Sequence, residues 1–380
     1  MGEGLTCEVA GNRLTLLPDG PGRLEALCAL IDGARETLRI LYYIFDDDAS
    51  GTRVRDALIA AAARGVKVSL LVDGFGSSEN ARFMAPLVGS GIAYCRFSAR
   101  FGRRYLLRNH QKLAMADGRR VIIGGFNVSD DYFGTAEDGA WRDIGLEVEG
   151  DTVASLTRYY DDLFRWANAP HSRIRDLRRM LQSHSDTEGR LHWLFGGPAR
   201  RLSPWARAIR RDMLKAKRLD MIAAYFAPSP AIVRRIGRVA RKGSVRLITA
   251  AKSDNNATIA AARSLYWYLL KRGVRIFEYQ PTKLHTKLVV IDDVVHIGSA
   301  NFDVRSLFLN LEMMLRIEDA GFAAAMRRFV EREAADSEEV TLESHRAHRS
   351  VLNRLKWGFG YFLVAVADYR ITRTLAPGSE

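Results

Sequence analysis

The chain carries one reactive cassette twice. NHQKLAMADGRRVIIGGFN places His110, Lys112, Asp117 and Asn127, and LHTKLVVIDDVVHIGSANF places His285, Lys287, Asp292 and Asn301. In both copies Lys follows His at +2, Asp follows at +7, and a Gly-containing turn ends in Asn shortly afterwards. Alternation along a strand points residues i and i+2 to one face, so His and Lys of each copy project side by side. Each cassette supplies half of a two-imidazole site. The two halves are therefore expected to meet around a single active site with pseudo-twofold symmetry.

The duplication extends beyond the cassettes. LRILYYIF at 38–45 reads as a strand, RVRDALIAAAARG as a helix, and VKVSLLV at 66–72 as the next strand. LDMIAAYF at 219–226, IVRRIGRVARKG and VRLITA at 245–250 repeat that order. Strand, helix and strand in succession imply βαβ units. The fold class is α/β, with two pseudo-symmetric repeats, each a mixed, mostly parallel sheet flanked by helices. Gly65, Gly91, Gly243 and Gly273 fall where helices should end, as a C-terminal cap prefers. The first repeat is assigned to 1–168 and the second to 201–335. Residues 169–200 read as a basic linker made of a helix and a loop, and 336–380 as a basic and apolar tail. PARRLSPWARAIRRDMLKAKR reads as a basic amphipathic helix leading into the second repeat.

The duplicated H-x-K-x4-D pattern, followed by GGFN and GSAN, resembles the phospholipase D superfamily. YYIFDDDASGTRVRDALIAAAARGVKVSLLVDG, WRDIGLEVEG and FDVRSLFLNLE are most similar to bacterial cardiolipin synthases. The copies differ at the turn: six residues separate Asp117 from Gly124, five separate Asp292 from Gly298, and Gly125 stands where the second copy has Ser299. The resemblance groups Asp117 and Asp292 with the catalytic motif while giving them a structural role, holding the strand and its neighbouring loop. It also implies that an acidic residue downstream of each Asn turn orients the imidazoles, and Glu312 and Asp143 match.

Two imidazoles flanked by two ammonium groups suit a phosphodiester. One His attacks phosphorus, the other protonates the leaving oxygen, and Lys112, Lys287, Asn127 and Asn301 stabilise the anionic oxygens. This scheme requires no cofactor and no metal, and the sequence contains neither a Gly-rich Lys-Ser/Thr phosphate loop nor a Cys/His ligand cluster. The cassettes do not distinguish the nucleophile from the acid. Analogy with relatives assigns His110 as nucleophile and His285 as general acid. The implied activity is transfer of a phosphatidyl group, through a phosphohistidine, to the hydroxyl of a second phospholipid such as phosphatidylglycerol. Hydrolysis to phosphatidic acid is the alternative, with an endonuclease as the more distant reading.

A formal charge of +13 favours an anionic partner. FGRRYLLRNHQK, at the first cassette, interleaves Arg with aromatic and leucine residues, as an acidic headgroup site would; single-stranded nucleic acid suits it too. The expected partners are anionic phospholipids and a membrane surface, with no obligate nucleic acid, and the protein is expected to be a monomer. Three cysteines without metal-like spacing point to a reducing compartment. No run reaches the roughly 18 to 20 apolar residues that span a bilayer, so peripheral association with the cytoplasmic side of the cell membrane is expected. The tail surrounds WGFGYFLVAVADY with Arg346, Arg349, Arg354, Lys356, Arg370 and Arg373. Trp357, Phe359, Tyr361 and Phe362 are of the kind that settle at a membrane interface; the alternative is a terminal helix packed onto the core.

Overall fold

The computed structural model describes residues 5–77, 81–97, 107–185, 188–199 and 202–367. The first half folds around an eight-stranded sheet: β1 (Thr6–Val9), β2 (Asn12–Leu17), β3 (Thr37–Tyr42), β4 (Lys67–Asp73), β5 (Ala93–Phe97), β6 (Leu113–Ala116), β7 (Arg120–Gly124) and β8 (Gly145–Glu149). The second sheet contains β9 (Leu191–Gly196), β10 (Arg218–Ala223), β12 (Ser244–Ala250), β13 (Val274–Tyr279), β14 (Lys287–Ile291), β15 (Val294–Gly298), β17 (Glu312–Glu318) and β18 (Ser337–Val340). The short pair β11 (Phe226–Ala227) and β16 (Phe302–Asp303) lies apart from it.

The strand orders β2-β8-β7-β6-β3-β4-β5 and β9-β17-β15-β14-β10-β12-β13 correspond element for element. β1 extends one sheet beyond β2, and β18 extends the other beyond β13. Both sheets are mixed. Parallel pairing is confined to β3-β4-β5 and β10-β12-β13, where helices make the crossovers, and the cassette hairpins add antiparallel strands. The parallel share is thus smaller than the βαβ reading gave.

Period-two alternation divides the core into three. In β6, Leu113 and Met115 face the centre of the molecule while Ala114 and Ala116 face the outer helices; in β14, Leu288 and Val290 point inward while Val289 and Ile291 point outward. Helices Gly20–Asp32 and Ala49–Ala63 cover the first sheet, and Pro204–Asp212, Pro230–Lys242 and Asn256–Leu270 cover the second. Helices Val153–Asn168 and Ala320–Ala335, the same element in each repeat, bury their apolar faces between the two sheets. A strand buried on both sides reads as a continuous apolar run, which accounts for VKVSLLV and LHTKLVVI.

Two boundaries move. Within 169–200 the helix Ile174–Ser183 is present, but 191–196 form β9, which pairs antiparallel with β17. Residues 337–340, assigned to the tail, form edge strand β18. The basic amphipathic helix is shorter than its sequence pattern, Pro204–Asp212, because Ser203 caps it and Pro204 opens it. Gly65, Gly91 and Gly273 have the positive φ of a helix end, whereas Gly243 is extended. Glycine serves there for a different reason: a Cβ would collide with the Lys217 carbonyl.

Candidate active site

The segments leading into β6 and β14 run alongside the opposite half. Asn109 bridges Leu311, and Leu284 bridges Arg142. The amide of His110 donates to the Leu311 carbonyl at 2.9 Å, and that of His285 donates to the Arg142 carbonyl at 2.7 Å. The residue before each His is thereby paired with the residue before the other half's carboxylate. This register brings His110 Nδ1 within 3.1 Å of Glu312 Oε2, and His285 Nδ1 within 2.6 Å of Asp143 Oδ2. Nε2 of each ring is left for a ligand. Both carboxylate side chains are fully buried.

His110, Lys112 and His285 precede β6 and β14, and Lys287 opens β14, so each Lys meets its His at the strand's entrance and not along its face. Lys112 Nζ donates to the His110 carbonyl at 2.7 Å, and Lys287 Nζ donates to the His285 carbonyl. The intervening residues turn the other way: Gln111 exchanges hydrogen bonds with the Tyr159 hydroxyl, and Thr286 Oγ1 donates to the Arg142 carbonyl. His110 also feels the charge of Lys287, and His285 that of Lys112, so the six groups form one electrostatic unit.

Burial sets the titration of this unit. It pushes the His110 imidazole down despite Glu312, and it pushes His285 down further, helped by Lys287 and opposed by Asp143. Burial likewise lowers Lys112 well below its ordinary value and Lys287 to about 8. Burial alone would raise the Asp143 carboxyl, but His285, Lys287 and Arg23 hold it below the usual range. An anion entering the cleft therefore favours uptake of protons there.

The two histidines have different surroundings. His110 lies against Tyr43, with ring centroids 5.1 Å apart. Tyr132 and Trp141 enclose His285 at 5.1 and 5.3 Å, leaving its side chain 5% exposed against 13% for His110. Glu312 additionally accepts from the Ser299 and Ser306 hydroxyls at 2.6 and 2.7 Å. Gly125, the counterpart of Ser299, leaves space for Asp143: a Cβ there would stand 2.7 Å from its Oδ2 and 3.0 Å from Lys287 Cδ.

Asn127 and Asn301 are buried. Asn127 Oδ1 accepts from the Ile44 amide at 3.2 Å, and its side chain also bonds Tyr132. Asn301 Oδ1 has no hydrogen-bond partner among the described residues. Asp117 and Asp292 stand apart from the cleft, which corrects their grouping with the catalytic residues. They occupy the hairpin turns at the far ends of β6 and β14, with φ of 53° and 46°. At about 3.3 Å per residue, five residues of strand place each roughly 17 Å from its lysine. Asp117 accepts from the amides of Arg35, Glu36 and Thr37, and Asp292 from those of Lys217 and Arg218. They pin the loops that start β3 and β10.

Tyr43, Tyr132, Trp141, Ser306 and Arg142 were not singled out from the sequence. Ser299 was visible there only as a departure between the copies. Arg142 forms a bidentate pair with buried Glu333 of helix Ala320–Ala335, fastening the residue before Asp143 to the opposite half. The stretch FGRRYL, 101–106, lies outside the described residues. Among the described residues no group of three His, Cys, Asp or Glu is placed to hold a metal ion.

A family profile described as "Cardiolipin synthase, PLD-like domain" matches residues 27–164 and 209–333. Cardiolipin synthase A of Pseudomonas aeruginosa (strain LESB58) is 34% identical over 355 residues, covering 90% of this chain and 71% of that protein. The Pseudomonas fluorescens protein of the same name is 32% identical over 353 residues, covering 90% and 72%. Among solved structures, the phosphatidylserine synthase of Haemophilus influenzae Rd KW20 superimposes with a TM-score of 0.75 at 14% identity, over 98% of this chain and 96% of that one; at that identity the likeness speaks for the fold. The chain belongs to the cardiolipin synthase family, within the phospholipase D superfamily of phosphatidyltransferases.

Proposed function

We propose that the protein transfers a phosphatidyl group from one phospholipid to the hydroxyl of another, with phosphatidylglycerol as donor and acceptor. The crosswise arrangement of the two His–carboxylate pairs carries this reading. Each Nδ1 is occupied by a carboxylate, so each ring presents Nε2 to a shared space flanked by two lysines. His110 Nε2 attacks phosphorus, the P–O bond to the glycerol headgroup breaks, and His285, which takes up a proton as the phosphodiester anion offsets burial and the Lys287 charge, gives that proton to the departing oxygen. Neutral His285 then takes the proton of the incoming hydroxyl, whose oxygen displaces His110 from the phosphohistidine. Lys112, Lys287 and the Asn301 amide stabilise the equatorial oxygens. The greater exposure of His110 favours it as the ring that forms the covalent bond.

Lysines with lowered affinity for protons suit this sequence, because the incoming phosphodiester restores their charge only where it is needed. The basic surface and the lipid substrate together favour peripheral work at the cytoplasmic face of the membrane. Among the described residues no helix is long and apolar enough to cross a bilayer.

Purified protein incubated with phosphatidylglycerol in mixed micelles should release glycerol and form a diphosphatidyl product. Phosphatidic acid as the sole product would make the protein a hydrolase; cleaved single-stranded DNA with untouched lipid would make it a nuclease. On rapid quenching with radiolabelled donor, His285→Ala should accumulate labelled protein, and His110→Ala should accumulate none. The reverse pattern would exchange the two roles.

A further inference from the structure

We infer that the outward face of helix Val351–Tyr361, together with Phe362 and Leu363, is an interfacial seat that holds the catalytic cleft against an anionic membrane; its choice of partner rests on the lipid reading above. The helix has two apolar faces. The inner one packs on helix Asn256–Leu270, where a Cβ on Gly360 would lie 2.7 Å from the Ala260 Cβ, and on its neighbours: Trp357 stacks on His345 of helix Leu342–Ala347 at 5.0 Å, and the Tyr361 hydroxyl donates to the Pro228 carbonyl at 3.3 Å. The outer face carries Val351, Leu352, Leu355, Phe359, Phe362 and Leu363, between 42% and 75% exposed. Their spacing of three and four residues joins them into one stripe. Single exposed apolar residues are ordinary, whereas a continuous stripe marks an interaction surface.

Charge selects the partner. Residues 345–364 contain Arg346, Arg349, Arg354 and Lys356 and no acid, and Arg346, Arg354 and Lys356 are exposed. An apolar stripe edged by cations matches acyl chains below anionic headgroups. A second copy docked stripe to stripe would bring the same cations together, which disfavours a dimer through this face.

Position ties the stripe to the cleft. Tyr361 and Val364 share an apolar cluster with Ala227 and Val304. Ala227 pairs with Asp303, two residues beyond Asn301 of the second cassette. The C-terminal end of the stripe therefore lies beside the rim of the second half. The first half contributes its own protrusion, Phe75, which is 63% exposed. The Arg108 guanidinium lies 4.0 Å from the centroid of its ring. Asp73 accepts from the amides of Phe75 and Asn109, coupling this rim to the residue before His110. Apolar residues thus flank the cleft from both halves. Sinking them into the acyl boundary would bring the lipid phosphate to the imidazoles without withdrawing the chains from the bilayer.

The test is sedimentation of the full chain with phosphatidylcholine vesicles, with and without phosphatidylglycerol. The variants are Leu355→Glu/Phe359→Glu and Phe75→Glu, with Leu214→Glu, exposed elsewhere, as control. The double variant should lose at least about tenfold in partition onto anionic vesicles, since two apolar side chains no longer insert. Its melting temperature and its hydrolysis of a soluble phosphodiester should stay at wild-type levels, while turnover of vesicle lipid falls. If the glutamates disturb the helix, Leu355→Gln/Phe359→Gln carries the same test. Wild-type sedimentation of a folded double variant, or a change of oligomeric state by light scattering in place of a change in vesicle binding, would overturn the proposal. Loss of vesicle binding by the double variant, from a wild type that binds yet never turns lipid over, supports the seat and rejects the transferase reading.

Discussion

His285 of the second half is held through Nδ1 by Asp143 of the first, 2.6 Å away, and the opposite half returns the arrangement with Glu312 on His110. Neither half contains a complete His–carboxylate pair. The interface that buries helices Val153–Asn168 and Ala320–Ala335 therefore also fixes the tautomer and direction of both imidazoles. An error in docking the halves would reach the chemistry directly.

Replacing these carboxylates isosterically isolates their orienting role. Asp143→Asn and Glu312→Gln should each lower turnover of a soluble phosphodiester by roughly 10³ to 10⁴, the scale seen when a histidine loses the acceptor that sets its tautomer. Circular dichroism should stay native. Turnover within a factor of a few of wild type in both variants would remove the crosswise pairs from the mechanism.

The motif aspartates should behave in the opposite way. Asp117→Ala strips acceptors from three backbone amides and puts alanine at positive φ. Asp292→Ala does the same for the Lys217 and Arg218 amides. Each should cost about 1–3 kcal/mol of stability, read from urea unfolding. The folded fraction should keep its turnover number. A stable variant with abolished turnover would return these residues to the catalytic group.

Anion binding should take up protons. Burial in the cleft holds Lys287 near 8 and Lys112 well below its usual value. The protonated lysines are the forms that attract an anion, so affinity is retained below the lowered value and lost as pH rises through about 8. Sulfate, which does not titrate in this range, is a clean probe: its dissociation constant should rise between about pH 7 and about pH 9. Calorimetry in buffers of different ionisation enthalpy should report net proton uptake. Lys287→Arg, with its charge fixed, should move that limb upward. Equal sulfate affinity at both pH values would refute the assignment.

The asymmetry of the turns gives a further prediction. Gly125→Ser puts a Cβ 2.7 Å from the Asp143 carboxylate, so Asp143 must shift and His285 with it; turnover should fall at least about tenfold, because small misplacements of reacting groups cost large factors. Ser299→Ala removes one of the two hydroxyls that donate to Glu312 and should have a smaller effect. A larger loss in Ser299→Ala than in Gly125→Ser would contradict the packing argument.

The reactive residues were legible because their information is local. His, Lys and Asp within eight positions, next to an apolar strand and repeated, specify a strand, the pairing of His with Lys, and its hairpin. β9 was assigned to the linker because LHWLFG is a single six-residue apolar run between Gly189 and Gly197 with no βαβ unit around it, and its pairing with β17, more than 110 positions away, makes it a strand. The tail shows the same limit: Trp357, Phe359, Tyr361 and Phe362 were one group in the sequence, yet Trp357 and Tyr361 face the core while Phe359 and Phe362 face outward. Arg370 and Arg373 lie outside the described residues.

Strand periodicity and motif spacing, which act within a few residues, dictate two equivalent α/β units and the pairing of each His with its Lys; Glu312 and Asp143 were reached through the family resemblance. Packing between the halves gives each carboxylate to the other half's His, lets the motif aspartates pin loops about 17 Å from the lysines, and lowers the proton affinity of the lysines. Those outcomes depend on the register of Asn109 against Leu311 and of Leu284 against Arg142, and on how completely the two sheets shut water out. Both arise from packing between residues more than 140 positions apart, such as Asp143 and His285, and no local spacing encodes them.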